Sequence, residues 1–371
     1  MGANEPIAAA PALSALIERV HAAQAHSTPL DIRGGGSKRF YGEAPQGEPL
    51  DVRGLAGFSS YEPTELVVTA RCGTRLAELE SRLAECGQCL AFEPPRFAPE
   101  ATVGGMVAAG LAGPARVSAG GVRDHVLGAS LLNGRAEVLT FGGQVMKNVA
   151  GYDISRLLAG SLGVLSVILE VSLKVLPIAP ASATLRFELA QPEALARLHA
   201  WAGLPLPLNA SAWWDGVLVL RLSGAAAAVQ AARKTLGGEV IEPRLAASFW
   251  DGLREQSDEF FSGARRAVRA AADARLWRLS VPQTTPPLPL AGEQLIEWGG
   301  AQRWLCSAET APQVREAAAK AGGHATIFDA QDKSGGVFAP LSAPLERIHR
   351  ELKRAFDPAG VFNPGRLYPG L

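Results

Sequence analysis

Three consecutive glycines, residues 34–36, constrain this chain more than any other feature of its sequence. They follow a short apolar run, residues 29–32, that predicts a strand, and Arg33, Lys38 and Arg39 surround them with positive charge. Glycine has no Cβ to shield the backbone, so consecutive amide N–H groups can point into one concavity. Cations around such a concavity suit a pyrophosphate. The triplet alone is also compatible with an ordinary flexible surface turn.

Two further glycine clusters favour the phosphate interpretation. Residues 102–113 are unusually small and apolar, and residues 160–163 contain two more glycines. Small residues let a helix or loop lie close against a flat ligand, but they also allow tight packing of one backbone against another. The local sequence leaves both possibilities open.

Length and charge limit the classes of protein to which this chain can belong. A chain of 371 residues is too long for one ordinary core and predicts two or three domains. Lys plus Arg and Asp plus Glu are balanced at 36 each, which argues against nucleic acid as a partner. No apolar run reaches the roughly 18 residues that a membrane span needs. The start of the sequence lacks the pattern of a signal peptide, so we expect a cytoplasmic protein.

The four cysteines do not indicate a metal centre. Cys86 and Cys89 form a CxxC pair, whereas Cys72 and Cys306 lie elsewhere. A zinc site needs four ligands, and no second pair or histidine cluster stands nearby. The spacing of four thiolates that an iron–sulfur cluster needs is also missing. We therefore expect no metal, and thiols in a reducing compartment.

The order of strands and helices in the first half of the chain predicts an α+β or α/β fold. Apolar residues alternate with period two along residues 167–175, which is the clearest strand signal, and Asn133-Gly134 predicts a two-residue hairpin turn. His125 precedes that hairpin in an entry turn, where a solvated side chain is expected rather than a base. Pro177 ends this part of the chain and predicts a boundary near residue 178.

From residue 184 onward, strands and helices alternate in the order β-α-β-α-β. This order predicts an open antiparallel sheet with helices on one face. The last helix, residues 345–356, leads into a tail that is rich in turn residues but includes the apolar Val361 and Phe362.

Four blocks together resemble the flavoproteins of the vanillyl-alcohol-oxidase type. The blocks are residues 33–37, residues 102–113, residues 124–126 and residues 151–168. The resemblance implies an α+β fold: a PCMH-type FAD-binding domain of two α+β subdomains over residues 1–177, and an antiparallel α+β cap or substrate domain over residues 178–342. A C-terminal helix and tail, residues 343–371, would return to the FAD domain. The residues implied to bind FAD are Arg33, Gly34, Gly35, Gly36, Ser37, Lys38, Thr102, Val103, Gly104, Gly105, Gly110, Gly113, Asp124, Val126, Gly163 and Ile168.

A closer resemblance, to the smaller FAD-binding subunits of bacterial glycolate oxidases, covers nearly the whole chain. It is carried by residues 147–153, 276–280 and 296–305. It implies oxidation of glycolate to glyoxylate in a complex with a larger FAD-binding subunit and an iron–sulfur subunit that receives the electrons. Peripheral association with the inner face of the cell membrane would then occur through these partners. Two alternatives remain: a self-sufficient FAD-dependent dehydrogenase for another 2-hydroxy acid, and a mainly structural subunit.

Three departures from the family pattern qualify these implications. Ser37 stands where the covalent branch has a histidine, which implies non-covalent FAD, and Leu162 stands where the family usually has a glutamate. The catalytic larger subunits carry a metal motif of the kind His-x-Gly-Asp-Gly-Asn in their second half. In this chain His324 and His349 stand outside any such motif, which argues against independent substrate oxidation.

Oxidation of a 2-hydroxy acid needs a cation for the carboxylate and a base for the hydroxyl proton. Arg278 and Arg303 are candidates for the cation because they follow or lie within apolar strands, and His324 is a candidate base. For both arginines the alternative is a structural ion pair or a surface position.

Overall fold

A computed structural model describes residues 11–143 and 153–371 of the chain, so residues 147–152 of the block quoted above lie outside the described part. The chain divides into two compact units. Unit 1 comprises Met1–Leu111, Gly121–Pro177 and Pro340–Leu371, and unit 2 comprises Ala112–Gly120 and Ile178–Ala339. The sequence did not indicate that Ala112–Gly120 groups with the later residues.

In chain order, the described residues up to 177 form α1 (Pro11–His26), β1 (Leu30–Arg33), β2 (Glu48–Asp51), β3 (Phe58–Glu62), β4 (Val67–Arg71), α2 (Leu76–Glu85), β5 (Gln88–Cys89), α3 (Val103–Ala109), α4 (Arg116–Ala119), α5 (Val122–His125), β6 (Val126–Leu132), β7 (Val138–Gly142), α6 (Ile154–Leu157), β8 (Val167–Lys174) and β9 (Leu176–Pro177). Residues 178–371 form β10 (Ala181–Glu188), α7 (Gln191–Ala202), β11 (Leu208–Trp214), β12 (Val217–Gly224), α8 (Ala226–Leu236), β13 (Glu239–Ile241), α9 (Pro243–Arg254), α10 (Glu259–Ala270), β14 (Arg275–Ser280), β15 (Glu293–Glu297), β16 (Gln302–Ser307), α11 (Ala311–Lys320), β17 (His324–Ala330) and α12 (Ala343–Phe356).

The described part of unit 1 contains a five-stranded antiparallel sheet in the order β3-β4-β8-β6-β7. The central strand β8 forms where the period-two alternation predicted a strand, and both of its faces are largely buried. A separate parallel pair, β1 with β2, delivers the chain to the glycine triplet.

The hairpin of β6 and β7 is present, but its predicted two-residue turn is wrong. Five residues connect the strands, and Asn133 Oδ1 accepts hydrogen bonds from the amides of Arg135 and Glu137, both at 2.9 Å. Ala136 takes the positive φ of 61° that the loop requires. The asparagine side chain thus organises a longer loop instead of occupying a tight turn.

His125 is buried, so the expectation of a solvated side chain was wrong. It is 3 % exposed, its Nδ1 lies 3.1 Å from the carbonyl oxygen of Lys174, and its ring centroid lies 4.9 Å from that of Phe92. Its place at the junction of α5 and β6 turns the imidazole into the core of unit 1.

The described part of unit 2 is built on an eight-stranded antiparallel sheet in the order β13-β10-β12-β11-β15-β16-β14-β17. The antiparallel sheet was predicted, but helices pack on both of its faces rather than on one. Helices α7, α8 and α11 pack on the face that carries Phe187 and Trp277. Helices α9 and α10 pack on the opposite face, where Trp250 Nε1 donates to Thr184 Oγ1 at 3.0 Å and the ring of Phe261 lies 4.9 Å from that of Trp304.

Candidate functional site

A cleft opens in unit 1 at the end of β1, beside α3. It collects eight of the residues that the sequence assigned to FAD: Arg33, Gly34, Gly35, Gly36, Ser37, Lys38, Thr102 and Gly105. The two glycine-rich stretches, about 70 positions apart in the sequence, therefore form the walls of one site.

The glycine triplet has the geometry of an anion cradle. Within the described residues, no protein atom accepts a hydrogen bond from the backbone amides of residues 34–37. The triplet packs tightly against residues 100–102: a Cβ on Gly35 would lie 1.6 Å from the carbonyl oxygen of Glu100, and one on Gly34 would lie 2.3 Å from Thr102 Oγ1. Packing thus demands glycine here, and the exposed amides offer donors to a phosphate group.

Basic side chains border this cradle. Arg33 Nε and Arg39 NH1 both donate to Oδ2 of the buried Asp31, at 2.7 and 2.5 Å. Lys38 Nζ donates to the carbonyl oxygen of Arg96 at 3.2 Å. A concentration of cations around free amides fits the diphosphate of a dinucleotide.

Helix α3 supplies a flat wall. Thr102 caps it by accepting from the amide of Gly105 at 3.2 Å, and Gly105 and Ala108 lie on the cleft side one turn apart. The side chains of Val103 and Met106 point into the core and are at most 1 % exposed. Small residues on one side and large apolar residues on the other let the helix lie close to a planar ring system.

Several residues that the sequence assigned to FAD lie outside the lining of the cleft and support it instead. Gly104 packs on Cys72, where a Cβ would lie 2.7 Å from the cysteine Cβ. Gly110 packs equally closely on Gly160, because a Cβ on Gly110 would lie 2.8 Å from the backbone nitrogen of Gly160. Val126 and Ile168 are buried in the central strands β6 and β8, and Val103 is buried in α3.

Three other assigned residues have different surroundings. Asp124 is exposed and accepts from the amide of Gly121 at 2.8 Å, so it caps α5. Gly113 belongs to unit 2, where its carbonyl oxygen accepts from Trp298 Nε1 at 3.1 Å. Gly163, with φ of +74°, lies beside the amide group of Asn363, next to the cleft.

The C-terminal tail contributes residues to the cleft that the sequence reasoning missed. Asn363 Oδ1 accepts from the amide of Ile32 at 2.7 Å, and its Nδ2 donates to the carbonyl oxygen of Leu162 at 2.6 Å. Arg366 NH2 donates to the carbonyl oxygens of Arg39 and Tyr41 at 2.8 and 2.6 Å. The family resemblance predicted that residues 343–371 return to the FAD domain, but it did not indicate which of their side chains line the cleft.

Arg303 does not have the surroundings of a substrate clamp. It is 1 % exposed in β16, and it donates to the carbonyl oxygens of Gly300 and Thr285, both at 2.7 Å. Burial lowers its pKa to about 10. The structure therefore favours the alternative of a structural arginine that fixes two loops of unit 2.

Arg278 and His324, by contrast, lie together. Arg278 pairs with Thr326 and Ser280 pairs with His324 in the β14–β17 ladder, so Arg278 and His324 are diagonal neighbours on one face of the sheet. Burial, and secondly the charge of Arg278, lower the pKa of His324. A cation beside a neutral imidazole is an arrangement able to bind a carboxylate and accept a proton.

His324 is also the last member of a row of polar side chains that crosses four strands of the sheet. Register places Glu297 opposite Gln302, Gln302 opposite Ser280, and Ser280 opposite His324. Glu297 and Gln302 are buried, and Glu297 Oε2 accepts from Gln302 Nε2 at 3.1 Å. Ser280 and the partly desolvated His324 reach solvent, so the row is anchored at its buried end and open at the other.

Among the described residues, no group of three or more His, Cys, Asp or Glu side chains could hold a metal ion. The helices of the described part of the chain are all too short or too polar to cross a membrane.

Comparison with known proteins connects this geometry to a family. A family described as an FAD binding domain matches residues 7–142. The glycolate oxidase subunit GlcE of Escherichia coli strain K12 is 50 % identical over 357 residues, which cover 96 % of this chain and 97 % of that protein. A D-lactate dehydrogenase of Archaeoglobus fulgidus is 32 % identical over 158 residues, or 41 % of this chain and 34 % of its own length.

A solved structure of alkyldihydroxyacetonephosphate synthase has the same fold. It superimposes with a TM-score of 0.60 at 14 % identity and covers 95 % of this chain and 74 % of its own. At that identity the likeness concerns the fold alone.

The fold, the cradle of amides and the matching domain define an FAD-binding oxidoreductase of the PCMH type. This confirms the predicted fold class and the predicted FAD cofactor. More narrowly, the chain belongs to the family of the glycolate oxidase subunit GlcE.

Proposed function

We propose that this chain is the FAD-binding subunit of a glycolate oxidase complex that oxidises glycolate to glyoxylate. The observation that carries the proposal is the 50 % identity to the glycolate oxidase subunit GlcE over nearly the full length of both chains. Such coverage extends well beyond residues 7–142, which match the FAD binding domain, and so includes unit 2.

The residues of unit 1 fit FAD, which accepts a hydride equivalent from the substrate when it is bound. The amides of residues 34–37, with Arg33, Lys38 and Arg39, would hold the diphosphate, and Gly105 and Ala108 would face the planar rings. Ser37 offers no nucleophilic imidazole for a covalent link at the position after the triplet, which supports non-covalent binding.

In this proposal, residues of unit 2 bind the substrate. Arg278 would bind the carboxylate of glycolate or a similar 2-hydroxy acid, and the neutral His324 would take the hydroxyl proton. The lowered pKa of His324 supports this role, because an unprotonated imidazole at neutral pH is ready to act as a base. Residues 1–177 with the tail 343–371 would then serve as the FAD domain, and residues 178–342 as the cap.

The partners are proposed to be a larger FAD-binding subunit and an iron–sulfur subunit that receives the electrons. The printed name of the GlcE relative, a subunit, supports an assembly of several chains. The described cysteines are all free thiols, which supports a reducing, cytoplasmic location, with association at the inner face of the membrane through the partners.

Co-purification tests the proposal. The tagged full-length chain, expressed with its neighbouring genes, should bring down a second flavoprotein and an iron–sulfur protein, with flavin and iron both present on analysis. The complex should reduce an artificial electron acceptor when glycolate is added. The isolated chain should bind FAD but turn over glycolate at less than about one hundredth of that rate, since in this proposal Arg278 and His324 act in a site that the partner subunits complete.

Two results would favour the alternatives. Rapid turnover by the isolated chain with any 2-hydroxy acid would indicate a self-sufficient dehydrogenase. Undiminished activity of a complex in which this chain has been prepared free of flavin would indicate a mainly structural subunit.

A further inference from the structure

Asp31 is a buried carboxylate in a cleft whose other charged side chains are cations. It lies in β1 and is 5 % exposed, and its Oδ2 accepts from both Arg33 Nε and Arg39 NH1. The other charged residues of the lining are Lys38 and Arg366. A negative charge beside a diphosphate site opposes binding, because like charges repel. Some other contribution must therefore offset that repulsion.

The two arginines supply that contribution. Their side chains are 38 % and 40 % exposed, and both border the cleft. An exposed arginine samples many rotamers, and fixing it when a ligand binds reduces affinity. Because one oxygen of Asp31 holds both guanidinium groups, Arg33 and Arg39 are already ordered before any ligand arrives.

The C-terminal tail also holds Arg39, through a hydrogen bond to its backbone. Arg366 NH2 donates to the carbonyl oxygen of Arg39 at 2.8 Å. Arg366 is 6 % exposed, and burial lowers its pKa, with Asp31, Arg39 and Glu43 near enough to influence it. Arg39 is thus held at its carbonyl by Arg366 and at its guanidinium by Asp31.

We propose that Asp31 is a positioning residue for FAD, presetting Arg33 and Arg39 so that both guanidinium groups meet the diphosphate. It acts through these arginines and has no part in the oxidation. The inference rests on FAD binding alone, so it stands or falls independently of whether glycolate is the substrate.

Charge and positioning predict opposite outcomes for Asp31→Asn. Removing a negative charge should tighten FAD binding if charge alone matters. Loss of positioning should instead weaken binding of FAD by the full-length apoprotein, by about tenfold or more, as followed by quenching of flavin fluorescence. Riboflavin, which lacks the diphosphate, should bind with unchanged affinity to within about twofold.

Asp51→Asn is the matched control. Asp51 lies opposite Arg33 in the β1–β2 ladder, but its carboxylate holds Arg53, through hydrogen bonds of 2.6–3.0 Å. The same charge is removed close by, without release of Arg39. We expect its FAD affinity to stay within about twofold of the parent.

The proposal is overturned if Asp31→Asn binds FAD as tightly as the parent or more tightly, or if riboflavin loses as much affinity as FAD. Circular dichroism of the apoprotein checks folding. Should Asp31→Asn fail to fold, Arg39→Gln replaces it, because that side chain is partly exposed. Arg39→Gln should weaken FAD binding and spare riboflavin, and unchanged FAD affinity would again overturn the proposal.

Discussion

A charged side chain in unit 2 influences the titration of its neighbour across the sheet. Burial and then Arg278 lower the pKa of His324, so the native fold favours the neutral imidazole. The sign of the pH effect follows. The stability linked to this histidine is complete above its ordinary pKa of 6.5 and is lost as the pH falls through its native pKa.

Arg278→Gln should raise the pKa of His324 toward its ordinary value without reaching it, because burial remains. An NMR titration of the histidine Cε1 protons measures this change, with His324→Gln to assign the signal. Arg275→Gln is the control: Arg275 lies on the same strand but donates to Asp332 at the other end. An unchanged His324 pKa in Arg278→Gln would contradict the electrostatic pairing.

At the scale of one element, α3 combines two packing requirements. Its core side carries Val103 and Met106, whereas its cleft side carries Gly105 and Ala108. The helix sequence 103–109 therefore encodes both attachment to the sheet and a thin wall toward the ligand. The small residues are needed on the ligand side and not for helix formation, since alanine and leucine both favour helices.

Ala108→Leu should accordingly weaken FAD binding by about tenfold or more, roughly 1.4 kcal/mol, while the apoprotein keeps its melting temperature. Fluorescence titration with FAD and thermal unfolding of the apoprotein measure the two effects. Ala84→Leu, on the exposed side of α2, is the same substitution away from the cleft. The role assigned to α3 fails if both variants bind FAD like the parent.

At the scale of the whole molecule, unit 1 is assembled from segments that are distant in sequence. The tail returns to β1, where Leu30 donates to the carbonyl oxygen of Val361 at 2.7 Å and Asn363 donates to that of Leu30 at 2.9 Å. Lys353 Nζ, buried, donates to Asp357 Oδ2 and to the carbonyl oxygen of Phe362 at 2.8 and 2.7 Å. The cofactor cleft is thus completed only when the last residues have docked.

The variant Asn363→Ala tests whether docking of the tail on β1 stabilises unit 1. It leaves the amide of Ile32 and the carbonyl of Leu162 without their side-chain partner, at about 1–3 kcal/mol each. We expect unit 1 to lose about 2–5 kcal/mol of unfolding free energy, measured by native-state hydrogen exchange of β1 amides. Gln46→Ala, an exposed residue near the tail, should change little. Equal protection of the β1 amides from exchange in both variants would show that the Asn363 contacts do not stabilise unit 1.

Local sequence patterns were enough to predict some features of this protein's fold. The glycine triplet and the alternation along β8 depend on neighbours in sequence: the triplet lines a concave cleft, and β8 forms where the alternation predicted a strand. The hairpin of β6 and β7 was also local, but its loop depended on which backbone groups the Asn133 side chain reached.

The sequence by itself determined the class of cofactor and the α+β fold, because bare amides, periodicity and family motifs are properties of short stretches. Only the tertiary structure decided that His125 and Arg303 are buried, that α9 and α10 cover a second face of the sheet, and that Asn363 and Arg366 complete the cleft. These outcomes depend on contacts between residues up to 331 positions apart. No local pattern specifies such a contact, since it forms only when the unit that contains both residues folds.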